Sequence, residues 1–316
     1  MANRSCRVLW VAVVGCLLGF LVGCTTTATG SNAGESNVPG RPPGAPTPTA
    51  GGPVPPVRVL QLNLCNSGLA ACDTGRSTAA AAAVIRAEIP DVVTLNEICQ
   101  DDVSTLRQAL ADVVPGEDAV AAFQAARDRR TGEDFRCRNG QSYGIGLISR
   151  WPSVSGSPAG VGIYPTQDTE DPEERAWLCL TVAATAAVTA CTTHLDDKKR
   201  EVAVAQCGYL FGTVIARMRE RDAALPVVLG ADLNLGSGDD PDLRSCLPAG
   251  WAVADDGGVQ HVVATPEFVV IGSRPTDLRG TTDHPGLLVP LTRRSRRRTA
   301  PGGRRAGAPR SERNGS

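Results

Sequence analysis

The chain has 316 residues, and its 32 basic residues nearly balance 33 acidic ones. The balance is uneven along the chain, because residues 293–316 hold nine arginines and one glutamate, and residues 1–23 hold only Arg4 and Arg7 as charged residues. Residues 24–292 therefore carry 21 basic and 32 acidic side chains, a net charge of −11. Such an acidic domain gives little support to strong binding of duplex nucleic acid.

Residues 1–23 are predicted to be an export signal. Two arginines precede an uncharged apolar run over residues 8–23, which is shorter than the roughly 20 residues that span a bilayer comfortably. The run ends in "LVGC", which resembles the lipobox of bacterial lipoproteins and implies lipidation of Cys24. An ordinary secretory signal is the alternative. We expect an exported lipoprotein on the extracellular face of the cell membrane.

Two low-complexity segments flank one domain over residues 57–292. Residues 24–56 are rich in Thr, Gly and Pro, and are predicted to be a disordered linker that holds the domain away from the membrane. Residues 293–316 form a basic disordered tail. This tail is either a solvated arm or a contact for polyanions such as nucleic acid, anionic lipid or wall polymers.

Eight cysteines remain beyond Cys24, an even number that suggests four disulfides in an exported chain. None forms a C-x-x-C pair, which argues against zinc. Spacing alone does not fix the connectivity, since eight cysteines allow about 105 pairings. Local geometry favours two pairs, Cys65–Cys72 around a short loop and Cys179–Cys191 on neighbouring antiparallel strands. For the other four we expect Cys99–Cys137 and Cys207–Cys246.

The domain pattern mixes strands and helices. Predicted strands are "VRVLQLNL", "PDVVTLNEI", "AVAAFQAAR", "SYGIGLISR", "AWLCLTV", "AAVTACTTHL", "LPVVLGADLNL", "VQHVVAT", "EFVVIGS" and "GLLVPL". Predicted helices are "RSTAAAAAVIRAEI", "DDVSTLRQALADVV", one long helix "KKREVAVAQCGYLFGTVIARMRER" and a short one in "DDPDLRSCL". This order predicts an α+β fold, and two sheets covered by helices would fit, although the pattern does not exclude other mixed folds.

Polar residues interrupt or end five of the apolar segments. They are Asn63; Asn96 with Glu97; His194; Asp232 with Asn234; and Asp283 with His284. Each alone is more often a structural residue at a strand end. Together they point to a shared site, because buried carboxylates and amides need partners and a divalent cation is a common one.

Seven segments occur in the same order as motifs of a known family: "LQLNL", "VVTLNE", "YGIGLISRWP", "ERAWLCLTV", "TTHLD", "VVLGADLN" and "TTDHPGLLV". On these motifs the sequence resembles the endonuclease/exonuclease/phosphatase superfamily, in its deoxyribonuclease I-like form. The resemblance spans nearly all of residues 57–291. It implies a four-layer α/β/β/α sandwich with two mainly antiparallel sheets packed face to face. It also implies a metal-dependent phosphoesterase that uses Mg²⁺ or Mn²⁺.

The same resemblance implies a role for each matched residue. Glu97 would be the principal metal ligand, with Asn63 and Asp283 also at the metal. The catalytic set would be Arg175 and His194 on the scissile phosphate, Asp232 and Asn234 orienting the nucleophile, and His284 activating water. On a strand, neighbours point to opposite faces, so Asp283 would face the metal and His284 the water.

One residue departs from the family pattern. The family has an acid in the strand before the final "DH" that hydrogen-bonds the last histidine, and this chain has Gln260 there. The amide oxygen of Gln260 would be left to accept from His284, without the charge that stabilises an imidazolium. Asp255 or Glu267 would substitute if the alignment is shifted. Tyr143 lies near a tyrosine of the family.

Three functions compete. The first is an exported phosphodiesterase or nuclease. The second is a sphingomyelinase-like enzyme acting on lipid headgroups; the lipid anchor permits it, but the sequence shows no aromatic-rich hairpin for membrane insertion, and aromatic residues are only 4%. The third is a catalytically impaired binding module, because of Gln260. The expected partners are a phosphoester substrate, nucleic acid or lipid headgroup, and the membrane; the domain is expected to be a monomer.

Overall fold

A computed structural model describes residues 55–222 and 225–294. The predicted signal peptide, Cys24, the linker up to residue 54 and the tail from residue 295 lie outside the described residues and stay predictions. Within the described ranges, no helix is both long and apolar enough to cross a membrane.

The described strands form two large sheets and one short ribbon. In chain order the strands are β1 Val57–Asn63, β2 Val92–Cys99, β3 Val120–Ala125, β4 Arg127–Asp128, β5 Tyr143–Ser149, β6 Gly160–Ile163, β7 Glu173–Glu174, β8 Ala176–Val182, β9 Val188–His194, β10 Val227–Asp232, β11 Ala252–Asp255, β12 Gln260–Ala264, β13 Phe268–Val270, β14 Arg274–Thr276 and β15 Gly286–Arg293. The first sheet has the order β13-β15-β1-β2-β5-β3, with β14 also on β15. The second has the order β11-β12-β10-β9-β8-β6, and β4 pairs with β7.

Helices cover the outer face of each sheet. They are α1 Ser77–Glu88, α2 Gln100–Ala111, α3 Arg200–Tyr209 and α4 Ala216–Arg221, with a π-helical segment at Leu210–Ile215 joining the last two. Helices α1 and α2 pack with β1 and β2 in one apolar cluster, and α3 with its π segment packs with β9 and β10 in another. A third cluster fills the space between the sheets. Among the described strands, only β1 with β2 and β9 with β10 pair in parallel. The predicted four-layer sandwich is confirmed.

Some predicted elements differ in detail. The long third helix is interrupted by its π-helical segment, and "DDPDLRSCL" holds only a single 3₁₀ turn at Leu243–Ser245. Strand β6 escaped prediction because two of its four residues are glycines, which have low strand propensity. A Cβ on Gly162 would lie 2.7 Å from the ring of Trp177, so the glycine lets this tryptophan pack flat against the strand.

Four disulfides join the eight cysteines of the domain, in the pairing expected from the sequence. Cys179 and Cys191 are directly opposite each other on β8 and β9. Cys65–Cys72 closes a loop after β1, and its sulfurs lie within 4.8 Å of a Glu97 carboxylate oxygen. Because these sulfurs are oxidised, they form a wall beside Glu97 and offer no thiolate to a metal.

Candidate active site

A cleft of about 380 Å³ opens where the two parallel strand pairs end. The carboxyl ends of β1 and β2, and those of β9 and β10, lie at this edge, and the loop before β15 closes it. Seven of the eight predicted site residues line the cleft: Glu97, Arg175, His194, Asp232, Asn234, Asp283 and His284. The eighth, Asn63, is fully buried beneath it.

Glu97 reaches the cleft through an irregularity in β2. The pairing of β2 with β5 shifts register between Leu95 and Ile98, and Glu97 has a left-handed backbone with φ of 53°. A bulge re-aims a side chain, and a non-glycine residue in this region carries strain that is often found at functional sites. Asn234 has the same unusual conformation, with φ of 50°.

Asn63 connects two carboxylates. Its Nδ2 donates to Glu97 Oε1 at 2.8 Å and to Asp232 Oδ2 at 3.0 Å, while its Oδ1 accepts from the Cys65 backbone N–H at 3.1 Å. The amide oxygen that would ligate a metal is therefore engaged with the backbone in this arrangement. Asn63 holds the two acids in position, and direct ligation by Asn63 stays a prediction.

The carboxylates have the character of a cation site. Burial raises the pKa of Glu97, and the nearby Asp232 and Asp283 raise it further, while Asn63 and Arg175 oppose the shift. Burial likewise raises the pKa of Asp232. A divalent cation stabilises negative charge on carboxylates that share a cleft, and carboxylate oxygens are the ligands that Mg²⁺ and Mn²⁺ prefer. The donor set therefore fits the expected metal.

His194 lies beside Asp232 on neighbouring strands, and Arg175 fixes its tautomer. Arg175 Nη1 is 2.8 Å from His194 Nδ1. A guanidinium only donates, so Nδ1 accepts and the imidazole proton resides on Nε2. Burial and the Arg175 charge hold the pKa of His194 well below its usual value, so the ring is neutral at pH 7. Its Nε2 points toward Glu97 Oε1, at 3.9 Å.

Arg175 is itself held by two acids that the sequence analysis missed. Its side chain is 4% exposed and lies 3.1 Å from Glu173 Oε1 and 2.6 Å from Asp197 Oδ1. Burial lowers the pKa of Arg175, but the attraction of Glu173 and the other acids outweighs burial and raises it. Burial raises the pKa of Glu173 to about 7. The spacing of Glu173 and Arg175 was a usable signal, since alternate residues of an extended segment share a face.

His284 does not meet Gln260 as expected. Its Nε2 lies 3.8 Å from Asp232 Oδ2 and 3.9 Å from Asp283 Oδ1. Gln260 instead donates through Nε2 to Asp232 Oδ2 at 2.6 Å, and its Oε1 accepts from Gln61 at 3.0 Å. The prediction that the oxygen of Gln260 serves His284 was wrong, because another buried amide occupies it.

Two related expectations also fail. Asp283 and His284 precede β15 and are not in a strand, so alternation does not separate their side chains. Neither substitute acid lines the cleft, since Glu267 pairs with Arg219 at 2.9 Å and Asp255 accepts from the Gly257 backbone at 2.9 Å. The third histidine, His261, is buried in β12, and its Nδ1 lies 2.8 Å from the Val259 carbonyl oxygen.

The remaining lining residues give the cleft two different rims. One is charged and includes Asp171 and Lys198, which pair at 2.7 Å. The other is less polar and holds Leu69, which is 54% exposed, and the half-buried Phe135. Phe135 packs on Tyr143 with ring centroids 5.6 Å apart, and burial raises the pKa of Tyr143 well above its usual value.

The family model for the Endonuclease/Exonuclease/phosphatase family matches residues 60–304. The chain belongs to this family. Members are hydrolases that act on phosphoester bonds and generally use divalent metal ions. A comparison with curated proteins finds no match.

Several solved structures share the fold of this Endonuclease/Exonuclease/phosphatase family chain. An endonuclease/exonuclease/phosphatase from Beutenbergia cavernae DSM 12333 is 23% identical, with a TM-score of 0.57, over 76% of this chain and 72% of that one. The mannosyl-6-phosphatase of Bacteroides thetaiotaomicron VPI-5482 is 16% identical, with a TM-score of 0.54, over 75% and 99%. D. rerio TDP2 complexed with single strand DNA product is 14% identical, with a TM-score of 0.53, over 75% and 99%.

Proposed function

We propose that this protein is an exported, metal-dependent phosphodiesterase of the nuclease type, tethered to the outer face of the cell membrane through Cys24. The observation that carries the proposal is the convergence of seven predicted residues on one cleft at the edge of both sheets. A phosphodiester is anionic, so its hydrolysis needs charge neutralisation, a base for water and stabilisation of the leaving oxygen.

The cationic and donor groups of the cleft would bind the phosphate. Arg175 supplies a permanent charge, and His194 supplies a neutral Nε2–H donor. A neutral donor is suited to hold an equatorial oxygen without competing for protons. The Asn234 side chain donates to the Leu195 carbonyl at 2.9 Å, which holds the loop after β10 in place against the end of β9.

His284 would activate the water. Its imidazole is 28% exposed and opens to the cleft, while Nε2 faces the buried Asp232 carboxylate. When His284 takes a proton, the Asp232 charge stabilises the resulting imidazolium. Because Asp232 can serve as the partner acid of His284, the replacement of the family acid by Gln260 need not impair catalysis, which weighs against the binding-module alternative.

We assign metal binding to Glu97 and Asp283, with Asn63 holding Glu97 in place. A bound Mg²⁺ or Mn²⁺ would neutralise charge on the phosphate oxygens and stabilise the leaving alkoxide.

Nucleic acid is the proposed substrate class, in single-stranded or short form because the domain is acidic. A structure of the same fold holds a single strand DNA product, which supports this choice. The phospholipid alternative keeps one supporting feature, the exposed Leu69 beside the cleft. A single leucine contributes only about 2 kcal/mol of apolar burial, far less than a membrane-inserting hairpin.

The test is a substrate panel on the purified chain with its disulfides oxidised. Single-stranded DNA, RNA, plasmid DNA, bis(p-nitrophenyl) phosphate and sphingomyelin vesicles are each assayed with Mg²⁺ or Mn²⁺. We expect turnover of bis(p-nitrophenyl) phosphate and of single-stranded nucleic acid, with slower attack on the plasmid. Turnover of sphingomyelin alone would replace this proposal with the lipid one, and no turnover of any substrate would reject both.

A further inference from the structure

Gln260 lies beneath the cleft, next to the proposed catalytic acid. It begins β12 and is the direct antiparallel partner of Asp232 on β10. Its side chain is fully buried, and both polar atoms are used: Nε2 donates to Asp232 Oδ2, and Oε1 accepts from Gln61 Nε2. Gln61 comes from the opposite sheet, so this contact connects the two layers at the site.

Backbone groups fix the direction of these amides. Asn96 Oδ1 accepts from the Asp232 backbone N–H at 2.7 Å, and Asn96 Nδ2 donates to the Thr193 carbonyl at 2.9 Å. A backbone N–H only donates and a carbonyl only accepts, so Asn96 has one possible orientation. Gln61 must then present its Nε2 to Asn96 Oδ1, at 2.6 Å, while its Oε1 accepts from Thr94 at 2.6 Å.

The orientation of Gln61 in turn fixes the orientation of the Gln260 amide beside Asp232. Because Gln61 also donates to Gln260 Oε1, the amide nitrogen of Gln260 faces Asp232. Asp232 Oδ2 thus receives two amide donors, Gln260 and Asn63, and the same oxygen faces His284 Nε2 at 3.8 Å. Asp232 is only 1% exposed, so these amides replace the water that would otherwise hydrate its charge.

We propose that Gln260 is a positioning residue whose neutral amide holds the Asp232 carboxylate toward His284, so that Asp232 is the acid partner of this histidine. The inference rests on the proposed function, since it assigns how that site is held. It reverses the expectation from sequence, in which Gln260 marks a lost acid and an impaired site.

An acid at position 260 fits this arrangement poorly. A carboxylate oxygen in place of Gln260 Nε2 would meet Asp232 Oδ2 at close to 2.6 Å, inside a buried layer. At pH 8 two carboxylates at that separation either repel as like charges or keep one proton at a free-energy cost, so an acid holds Asp232 less favourably than the amide does. A neutral amide at position 260 can donate to the Asp232 carboxylate without adding a second negative charge beside it.

The test compares three variants at Gln260 with a control on the same strand pair. Gln260→Met removes the donor, Gln260→Glu replaces it with an isosteric acid, and Gln260→Asp restores the family residue. The control is Thr265→Val, which removes the buried 3.1 Å bond from the Val227 N–H at the far end of β10 and β12. Turnover of bis(p-nitrophenyl) phosphate and the thermal unfolding midpoint are measured for each at pH 8.

We expect Gln260→Met to lower kcat by about 10- to 100-fold with KM nearly unchanged, as for other residues that orient catalytic groups. Gln260→Asp should lose at least as much, and Thr265→Val should keep wild-type kcat despite a lower midpoint. The midpoint of Gln260→Glu should fall below that of Gln260→Met, which tests the donor even if no substrate turns over.

Wild-type or higher kcat in Gln260→Asp would overturn the inference while leaving the proposed function intact. So would a midpoint for Gln260→Glu that equals or exceeds that of Gln260→Met. An inactive wild type would instead reject the proposed function, and the order of the two midpoints would still decide the role of the amide.

Discussion

The two buried histidines of the domain have opposite hydrogen-bond partners, which gives each a definite tautomer. His194 Nδ1 faces the Arg175 guanidinium, which only donates, and His261 Nδ1 faces the Val259 carbonyl oxygen, which only accepts. His194 therefore carries its proton on Nε2, whereas His261 carries one on Nδ1. The proposed phosphate donor at His194 depends on this arrangement.

We predict that long-range ¹H–¹⁵N NMR at pH 8 shows an unprotonated Nδ1 for His194 and a protonated Nδ1 for His261. In Arg175→Met the donor to His194 is lost, so its ring should become a mixture of tautomers while His261 is unchanged. Turnover should fall by at least about 10- to 100-fold, because both the partner that orients His194 and the positive charge proposed to bind the phosphate are removed. A protonated His194 Nδ1 in the wild type would contradict the assigned role.

Glu173 should make stability depend on pH. Burial raises its pKa in the folded protein to about 7 from 4.5. The folded state then binds the proton more tightly, so the stability from Glu173 is fully present below about pH 4.5 and is lost as the pH rises through about 7.

Glu173→Gln mimics the protonated side chain, so the stability of the variant relative to wild type should rise as the pH rises across this window, whatever constant amount the lost contact with Arg175 costs. The gain in the free energy of unfolding should be at most about 3 kcal/mol, from the shift of the pKa. Urea unfolding of both proteins at pH 5 and pH 7.5, with disulfides intact, measures it. A difference that does not change with pH would show that Glu173 is not protonated by burial.

At the scale of elements, two disulfides lie in different parts of the domain, one beside the cleft and one away from it. Cys65–Cys72 closes a loop whose Ser67, Leu69 and Ala70 line the cleft, and the Cys65 N–H anchors Asn63. Cys207–Cys246 joins α3 to the segment after the 3₁₀ turn, on the outer face of the second sheet. We therefore expect Cys65–Cys72 to affect activity and Cys207–Cys246 to affect mainly the stability of the fold.

Replacing each pair with serines should separate these effects. In the chain-entropy model, loss of the crosslink with sequence separation 7 costs about 2.5 kcal/mol, and loss of that with separation 39 costs about 4 kcal/mol. We expect the Cys65/Cys72 variant to lose activity by about 10-fold or more, because the loop that supports Asn63 is released. The Cys207/Cys246 variant should retain kcat but unfold at lower denaturant. The reverse order would contradict this division.

The elements also show how far sequence could go. Polar residues that end apolar strands stand out in the sequence, so Asn63, Glu97, His194 and Asp232 could be predicted to share a site, and the structure brings them together. The hydrogen-bond partner of Gln260 could not be predicted, because the orientation of its amide is set by Asn96 and Gln61 on the other sheet. Glu173 was missed because it lies on a two-residue strand with no apolar pattern around it.

At the scale of the whole molecule, the family fold brings segments far apart in sequence to one edge of the sandwich. Asn63 and His284 are separated by most of the domain, yet both lie at Asp232, within 3.0 Å and 3.8 Å of its Oδ2. We expect the charge of the acidic domain, together with the predicted basic tail and the predicted N-terminal export signal, to set which substrates reach the cleft.

We propose that this cleft hydrolyses phosphodiesters with a divalent cation held at Glu97. The most direct measurement is the release of p-nitrophenolate from bis(p-nitrophenyl) phosphate by wild type, Glu97→Gln and the control Glu117→Gln, whose carboxylate pairs with Arg150. We expect Mn²⁺-dependent turnover that a chelator abolishes, a loss of at least about 10²-fold in Glu97→Gln, and wild-type activity in the control. Turnover that survives the chelator, or wild-type activity in Glu97→Gln, would contradict the claim.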